Sequence, residues 1–236
     1  TSGFDALIET VAGQIPQVIQ VLPEALQAAL EIVNQELEFK DDEDLDDDNN
    51  MMIDRYQYTC DFIEQIARTI PDSFQACYSQ FHAVLANKLE DCDPRIERIS
   101  LKALSTIMRV APPEDYLKFL EAVAKILDGT DNSKTAGLCF NIFAKFIQRH
   151  SEGKGFEVPD QYVQIMLANG ISAMNRELQL QDNDDNNEYD IELFNNVYFF
   201  FKIVANDLPH NFPITVFWDE SKRIRANGVA FEQCEI

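Results

Sequence analysis

Residues 89–108 read LEDCDPRIERISLKALSTIM, and the order of residue types spells the start of a helix that packs against others. Asp91 and Asp93 are helix-capping types, and Pro94 follows them. Proline is tolerated in the first helical turn, where its missing N–H would have had no partner. Ile96 comes two residues after the proline, and Arg98 soon after is placed to bond a neighbouring turn. Ala103, Leu104 and Ile107 complete a small–apolar stretch, in which Ala103 lets a neighbouring helix come close.

The same grammar recurs outward from this stretch. Helices are expected in pairs: residues 2–14 with 16–39, 51–70 with 71–90, 94–110 with 113–127, 132–150 with 159–178, and 189–206 with 213–229. Pro16, Pro71, Pro94, Pro113, Pro159 and Pro213 mark starts, and Asp93 and Asp131 are the expected N-caps. Pro23 predicts a kink or a late start. Phe74, Cys77, Tyr78, Phe81, Val84 and Leu85 share one helical side, as do Ile191, Phe194, Val197, Tyr198, Phe201 and Val204. Spacings of three and four place such residues on one stripe, which reads as core. Strict alternation, the mark of half-buried strands, is scarce.

First helices begin near 51, 94 and 132, steps of about 43 and 38 residues, close to the HEAT and armadillo period of about 40–47. Most pairs leave no room for the third short armadillo helix, and the TPR pattern of Trp, Gly and Tyr is absent. The expected fold is therefore all-α: a HEAT-type helical-hairpin solenoid. It forms one segment over residues 1–236, of about five hairpins, with acidic loops at 41–50 and 181–188. Thr1 in place of Met suggests a piece of a longer protein.

The formal net charge is −22. A polyanion repels phosphate backbones and anionic membrane surfaces, so neither nucleic acid nor a membrane is an expected partner. Basic protein segments are, because long-range attraction steers them. Solubility alone is the plainer account of the acidity. Residues 41–48, DDEDLDDD, hold seven carboxylates in eight positions and should repel one another into a disordered loop. The expected protein-binding residues are Asp41, Asp42, Glu43, Asp44, Asp46, Asp47 and Asp48, with Asp182, Asp184, Asp185 and Glu188 from the second stretch.

Other chemistry finds little footing. Asp182, Asp184, Asn186, Glu188 and Asp190 imitate a calcium loop, but Asn187 and Leu193 stand where an EF-hand needs Gly and Glu. His82, His150 and His210 are far apart. Cys60, Cys77, Cys92, Cys139 and Cys234 include no CxxC pair and read as reduced, buried thiols of an intracellular protein. No phosphate-cradling glycine loop or nucleophile-elbow motif is present. Trp218 reads as core. No catalytic residue, metal or cofactor is expected. No apolar run is long enough to span a membrane, and no signal peptide is visible.

The stretch 89–108 resembles the start of a HEAT repeat through Asp91, Asp93, Pro94, Ile96, Arg98, Ala103, Leu104 and Ile107. The acidic run and the segment after it, DRYQYTCDFIEQIARTIPDSFQACYSQF, resemble the karyopherin-β (importin-β-like) nuclear transport receptors. That resemblance implies a central or C-terminal fragment of a protein-binding adaptor. It implies basic cargo, cargo release through changes of solenoid curvature, contact with a Ran-type GTPase through the full-length protein, and residence in cytoplasm and nucleus. The family's N-terminal Ran-binding repeats are not recognisable in this chain. The rival expectation is a HEAT scaffold subunit of a phosphatase, vesicle-coat or chromosome-organising complex.

Overall fold

The computed structural model describes residues 16–35, 46–89, 93–175 and 187–211. Among them the chain is all-helical, with nine α-helices and one 3₁₀ turn, in two compact units that divide between Asp115 and Tyr116.

The first unit holds α1 (Pro16–Val33), α2 (Asp46–Thr69), α3 (Pro71–Gln75), α4 (Tyr78–Asn87) and α5 (Pro94–Ile107). Pro16 opens α1, and the helix runs through Pro23 rather than starting late there. Tertiary contact holds it: Leu22 and Leu26, on either side of the proline, are buried. The helix ends at Val33, short of the expected residue 39. α2 begins at Asp46, so residues 46–50, expected in the acidic loop, are helical. Carboxylates are favoured in a first turn, where the helix end carries partial positive charge. Buried Ile53, Tyr56, Cys60, Ile63 and Ala67 follow the helical spacing, and Phe62 and Ile66 widen the stripe towards the C-terminus.

α2 stops because Ile70 precedes Pro71, and the proline ring bars the helical conformation there: Ile70 has φ −134° and ψ 62°. The helix expected over 71–90 is instead two helices with a turn at Ala76 and Cys77. Cys77 N–H and Sγ both donate to the Phe74 carbonyl, at 3.0 and 3.1 Å, and Cys77 takes φ −112°, ψ 0°. Phe74, Tyr78, Phe81 and Leu85 are buried as expected, whereas Cys77 and Val84 are half-buried.

α5 starts as its sequence says: the Asp93 side chain accepts from Arg95 N–H at 2.7 Å, with Pro94 in the first turn. It bears buried Ile96, Leu101, Ala103, Leu104 and Ile107. A 3₁₀ turn, Met108–Val110, closes it, and Ala111, preceding Pro112, is extended. α1 packs on α2 and α4, and α2 and α4 each pack on α5. α2 and α5 run in the same direction. Asn50 meets Arg95 near their starts, and Glu64 meets Thr106 near their ends.

From Tyr116 on, the second unit holds most of α6 (Pro113–Gly129), then α7 (Ser133–Ser151), α8 (Asp160–Met174) and α9 (Asn187–Asp207). Asn132, not Asp131, caps α7, accepting from the N–H groups of Lys134 and Thr135 at 3.1 Å. A neutral amide serves a cap as well as a carboxylate does. α7 and α9 also run in the same direction: Asn141 donates to Asn196 at 2.8 Å near their middles, and Ser151 to Asp207 at 3.0 Å at their C-terminal ends. So do α6 and α8, since Tyr116 reaches the Phe156 carbonyl just before α8 and Asp128 meets Asn169 further along. Ile191, expected on the inner stripe of α9, is 54% exposed; Leu193 and Phe200 are buried beside Phe194, Val197, Phe201 and Val204.

Candidate functional site

The acidic runs are the binding surface that the sequence leads one to expect. Asp41, Asp42, Glu43 and Asp44 lie outside the described residues, as do Asp182, Asp184 and Asp185. Asp46, Asp47 and Asp48 occupy the first turn of α2, and Glu188 the first turn of α9. The two described sets fall in different units, each at the start of a helix that packs on an equivalent helix.

The helix that emerges from the first run is well anchored. Arg95 Nη1 donates to Asn50 Oδ1 at 3.3 Å, while Arg95 Nε and Nη2 grip the Asp93 carboxylate at 3.0 and 2.9 Å. The Arg95 guanidinium holds the Asp93 carboxyl below its ordinary range. The start of α2 is thus pinned to the capped start of α5.

Further along the same interface lies a polar seam absent from the expected sites. Glu64 is buried, and its Oε2 accepts from Arg68 Nη2 at 2.7 Å and Thr106 Oγ1 at 3.0 Å. Lys102 Nζ stands 3.5 Å from Glu64 Oε1, an ion pair without hydrogen-bond geometry, and 3.0 Å from Asp61 Oδ1. Burial pulls the Lys102 ammonium down, but Glu64 and Asp61 outweigh it and hold the group above its ordinary value. Tyr56 Oη and Ser100 Oγ pair at 2.7 Å in the same interface. One signal was legible: Glu64 and Arg68 are four apart, the spacing of a helical ion pair. Its burial was not, because glutamate normally marks the solvated face.

Burial first, then the Glu64 charge, pushes the Cys60 thiol up, so it stays protonated and inert. Burial also raises the Cys77 thiol. Cys60 and Cys139 are buried and Cys77 half-buried, and among the described residues no cluster of His, Cys, Asp and Glu could hold a metal. No described helix is long and apolar enough to cross a membrane. Cys92, Cys234 and Trp218, and the expected helices over 2–14 and 213–229, lie outside the described residues.

The first unit also has an open groove of about 350 Å³ between α1 and the α3–α4 turn. Leu22, Leu26, Leu30, Cys77 and Phe81 line it. Gln27, Ser73 and Gln80 stand at its edges, all exposed. The turn at Ala76 and Cys77 forms part of its wall.

Compared with known proteins, the chain matches no family model, no curated protein and no solved structure. The class defined by fold and surface is an all-helical chain, in which like helices lie side by side in the same direction.

Proposed function

We propose that this chain is a protein-binding segment of a HEAT-type helical-hairpin solenoid, similar to karyopherin-β transport receptors, that takes basic segments of cargo or partner proteins. One observation carries the reading. Helices run alongside one another in the same direction: α2 packs on α5 and α7 on α9, and α6 is hydrogen-bonded to the α8 segment in the same sense. A stack of repeated helix pairs requires this register, because each first helix must lie on the next first helix and each second on the next second. The acidic runs supply attraction for basic segments, screened over about 8 Å at physiological salt.

A nuclear-localisation-type basic peptide and its charge-reversed counterpart, titrated at two salt concentrations, test this. The basic peptide should bind more tightly, and less so as salt rises. Replacing Asp44, Asp46, Asp47 and Asp48 by Asn should slow association more than it speeds dissociation, since steering acts on encounter. No preference at low salt overturns the basic-partner reading. Capture that strengthens or releases with a GTP-locked Ran-type GTPase favours the transport receptor; indifference to it favours a scaffold.

A further inference from the structure

The described chain stops against α8. After α9 ends at Asp207, Leu208 N–H donates to the Val204 carbonyl and Asn211 N–H to the Leu208 carbonyl, each at 2.9 Å, so the chain turns at once. Both ends of the Asn211 amide are then tied to α8. Asn211 Nδ2 donates to Asp160 Oδ1 at 2.7 Å, and Gln164 Nε2 donates to Asn211 Oδ1 at 3.3 Å. Gln164 Nε2 also reaches the Asn211 carbonyl, at 3.5 Å, and His210 Nε2 lies 3.9 Å from the same Asp160 oxygen. Whatever follows Asn211 therefore sets out beside the first two turns of α8.

That side of α8 offers room. Gln164, Ala168 and Ile171 follow one another at spacings of four and three, which places them in line along the helix. Gln164 and Ala168 are exposed, and Ile171 is half-buried. α6 meets a different side, where Asn169 donates to Asp128 at 3.1 Å. A small residue such as Ala168 lets a large side chain from a neighbour lie close.

The sequence after Asn211 fits this side in length, pattern and charge. Pro213 can open a helix, and Ile214, Phe217, Trp218, Ser221 and Ile224 recur at spacings of three and four. α8 has 15 residues, about 22 Å of helix, and a helix over 213–229 would run its whole length. Setting out from Asp160 and Gln164, it can lie along α8 only by running in the same direction. Trp218 then comes level with Ala168. Lys222, Arg223 and Arg225 come to the C-terminal end of α8, whose carbonyls carry partial negative charge and whose last turn has no base of its own.

We infer that residues 213–229 dock as a helix along the Gln164–Ala168–Ile171 side of α8, running in its direction, with Trp218 against Ala168 and Ile171. The inference goes beyond the basic-partner reading and does not depend on it: it assigns this side of α8 to the chain itself rather than to a partner.

Trp218 is the one tryptophan of the sequence, so its fluorescence in the full chain reports on the docked segment alone. The parent should emit to the blue of free tryptophan and be quenched by acrylamide several-fold less. Ala168→Lys places a charged side chain on the proposed seat, at an exposed position of α8. It should shift emission to the red and raise quenching several-fold while circular dichroism shows the described helices intact. Ala168→Gln takes its place should the lysine variant be unfolded. Glu121→Lys, at an exposed position of α6, should leave the signal unchanged. Oxidation of the double variant Ile171→Cys with Ser221→Cys should join those two positions, as read by peptide mapping. A Trp218 as accessible in the parent as free tryptophan overturns the inference. So does one that stays protected when a folded Ala168 variant carries the larger side chain, since the ring is then seated elsewhere.

Discussion

Two interfaces in this protein have the same geometry and opposite chemistry. In the first unit, α2 and α5 lie side by side across a seam of Tyr56, Ser100, Glu64, Thr106 and Lys102. In the second, α7 and α9 lie side by side across Phe140 and Phe200, with ring centroids 5.8 Å apart. There a Cβ on Gly137 would stand 3.4 Å from the Leu193 Cα, so the backbones are close. Across the aromatic core, a Cβ on Gly170 of α8 would meet Phe201 Cζ at 2.9 Å. Parallel side-by-side packing thus needs no particular chemistry. Aromatic packing dominates one seam and buried hydrogen bonds and an ion pair the other, and the two should fail differently.

The largest effect is expected in the aromatic seam. Phe200→Ala should cost about 3–5 kcal/mol, because a fully buried ring leaves a cavity that packed neighbours cannot close. Urea unfolding followed by circular dichroism measures it. A cost near that of a surface change would mean that α9 is less firmly seated than its burial indicates.

The polar seam should give way less and be replaceable. Glu64→Ala should cost about 2 kcal/mol, since it removes the acceptor of a buried hydroxyl and of a charged donor. Arg68 limits the loss, because its side chain is 42% exposed and can turn to water. The double change Glu64→Leu with Thr106→Val should recover most of it, as apolar replacements of buried ionic groups often do. If the double variant is worse than Glu64→Ala, the seam sets the register of α2 on α5, and the comparison sharpens in its favour.

The two caps extend the contrast. Asp93→Ala and Asn132→Ala should each cost about 1 kcal/mol. Only the first carries a pH signature. The Asp93 carboxyl is depressed in the folded chain by the Arg95 guanidinium. Its contribution is therefore fully present above the ordinary carboxylate value and is lost as pH falls below about 4. Asp93→Asn should keep the cap and flatten that part of the stability profile, while Asn132→Asp should introduce such a dependence into the second unit. Melting temperatures across an acid titration would show both.

The smallest effect is expected at Gly137. Its added Cβ would stand 3.1 Å from Asn196 Nδ2, an amide held by the Glu192 carbonyl and by Asn141, which has to give by only a few tenths of an ångström. The gain in helix propensity, about 1 kcal/mol, should offset the disturbance, leaving Gly137→Ala within about 0.5 kcal/mol of the parent. A loss of several kcal/mol would instead show that the backbone approach at Leu193 is rigid.

The sequence by itself determined where most described helices begin and which residues could be core. Asp93–Pro94, Pro71 and Pro113 announce starts, Ile70 and Ala111 are forced out of helix by the prolines after them, and Leu104, Phe81 and Phe201 sit on stripes that are buried. These signals are local: a cap, a proline or a spacing acts within one or two turns. Only the tertiary structure decided that Glu64 is buried and Ile191 exposed, that Asn132 rather than Asp131 caps α7, that the chain turns at Cys77, and that a groove lies beside α1. Each depends on what a neighbouring element offers. Thr106 and Lys102 make it possible to bury a carboxylate on α2, and a helix face is core only where another helix arrives to cover it.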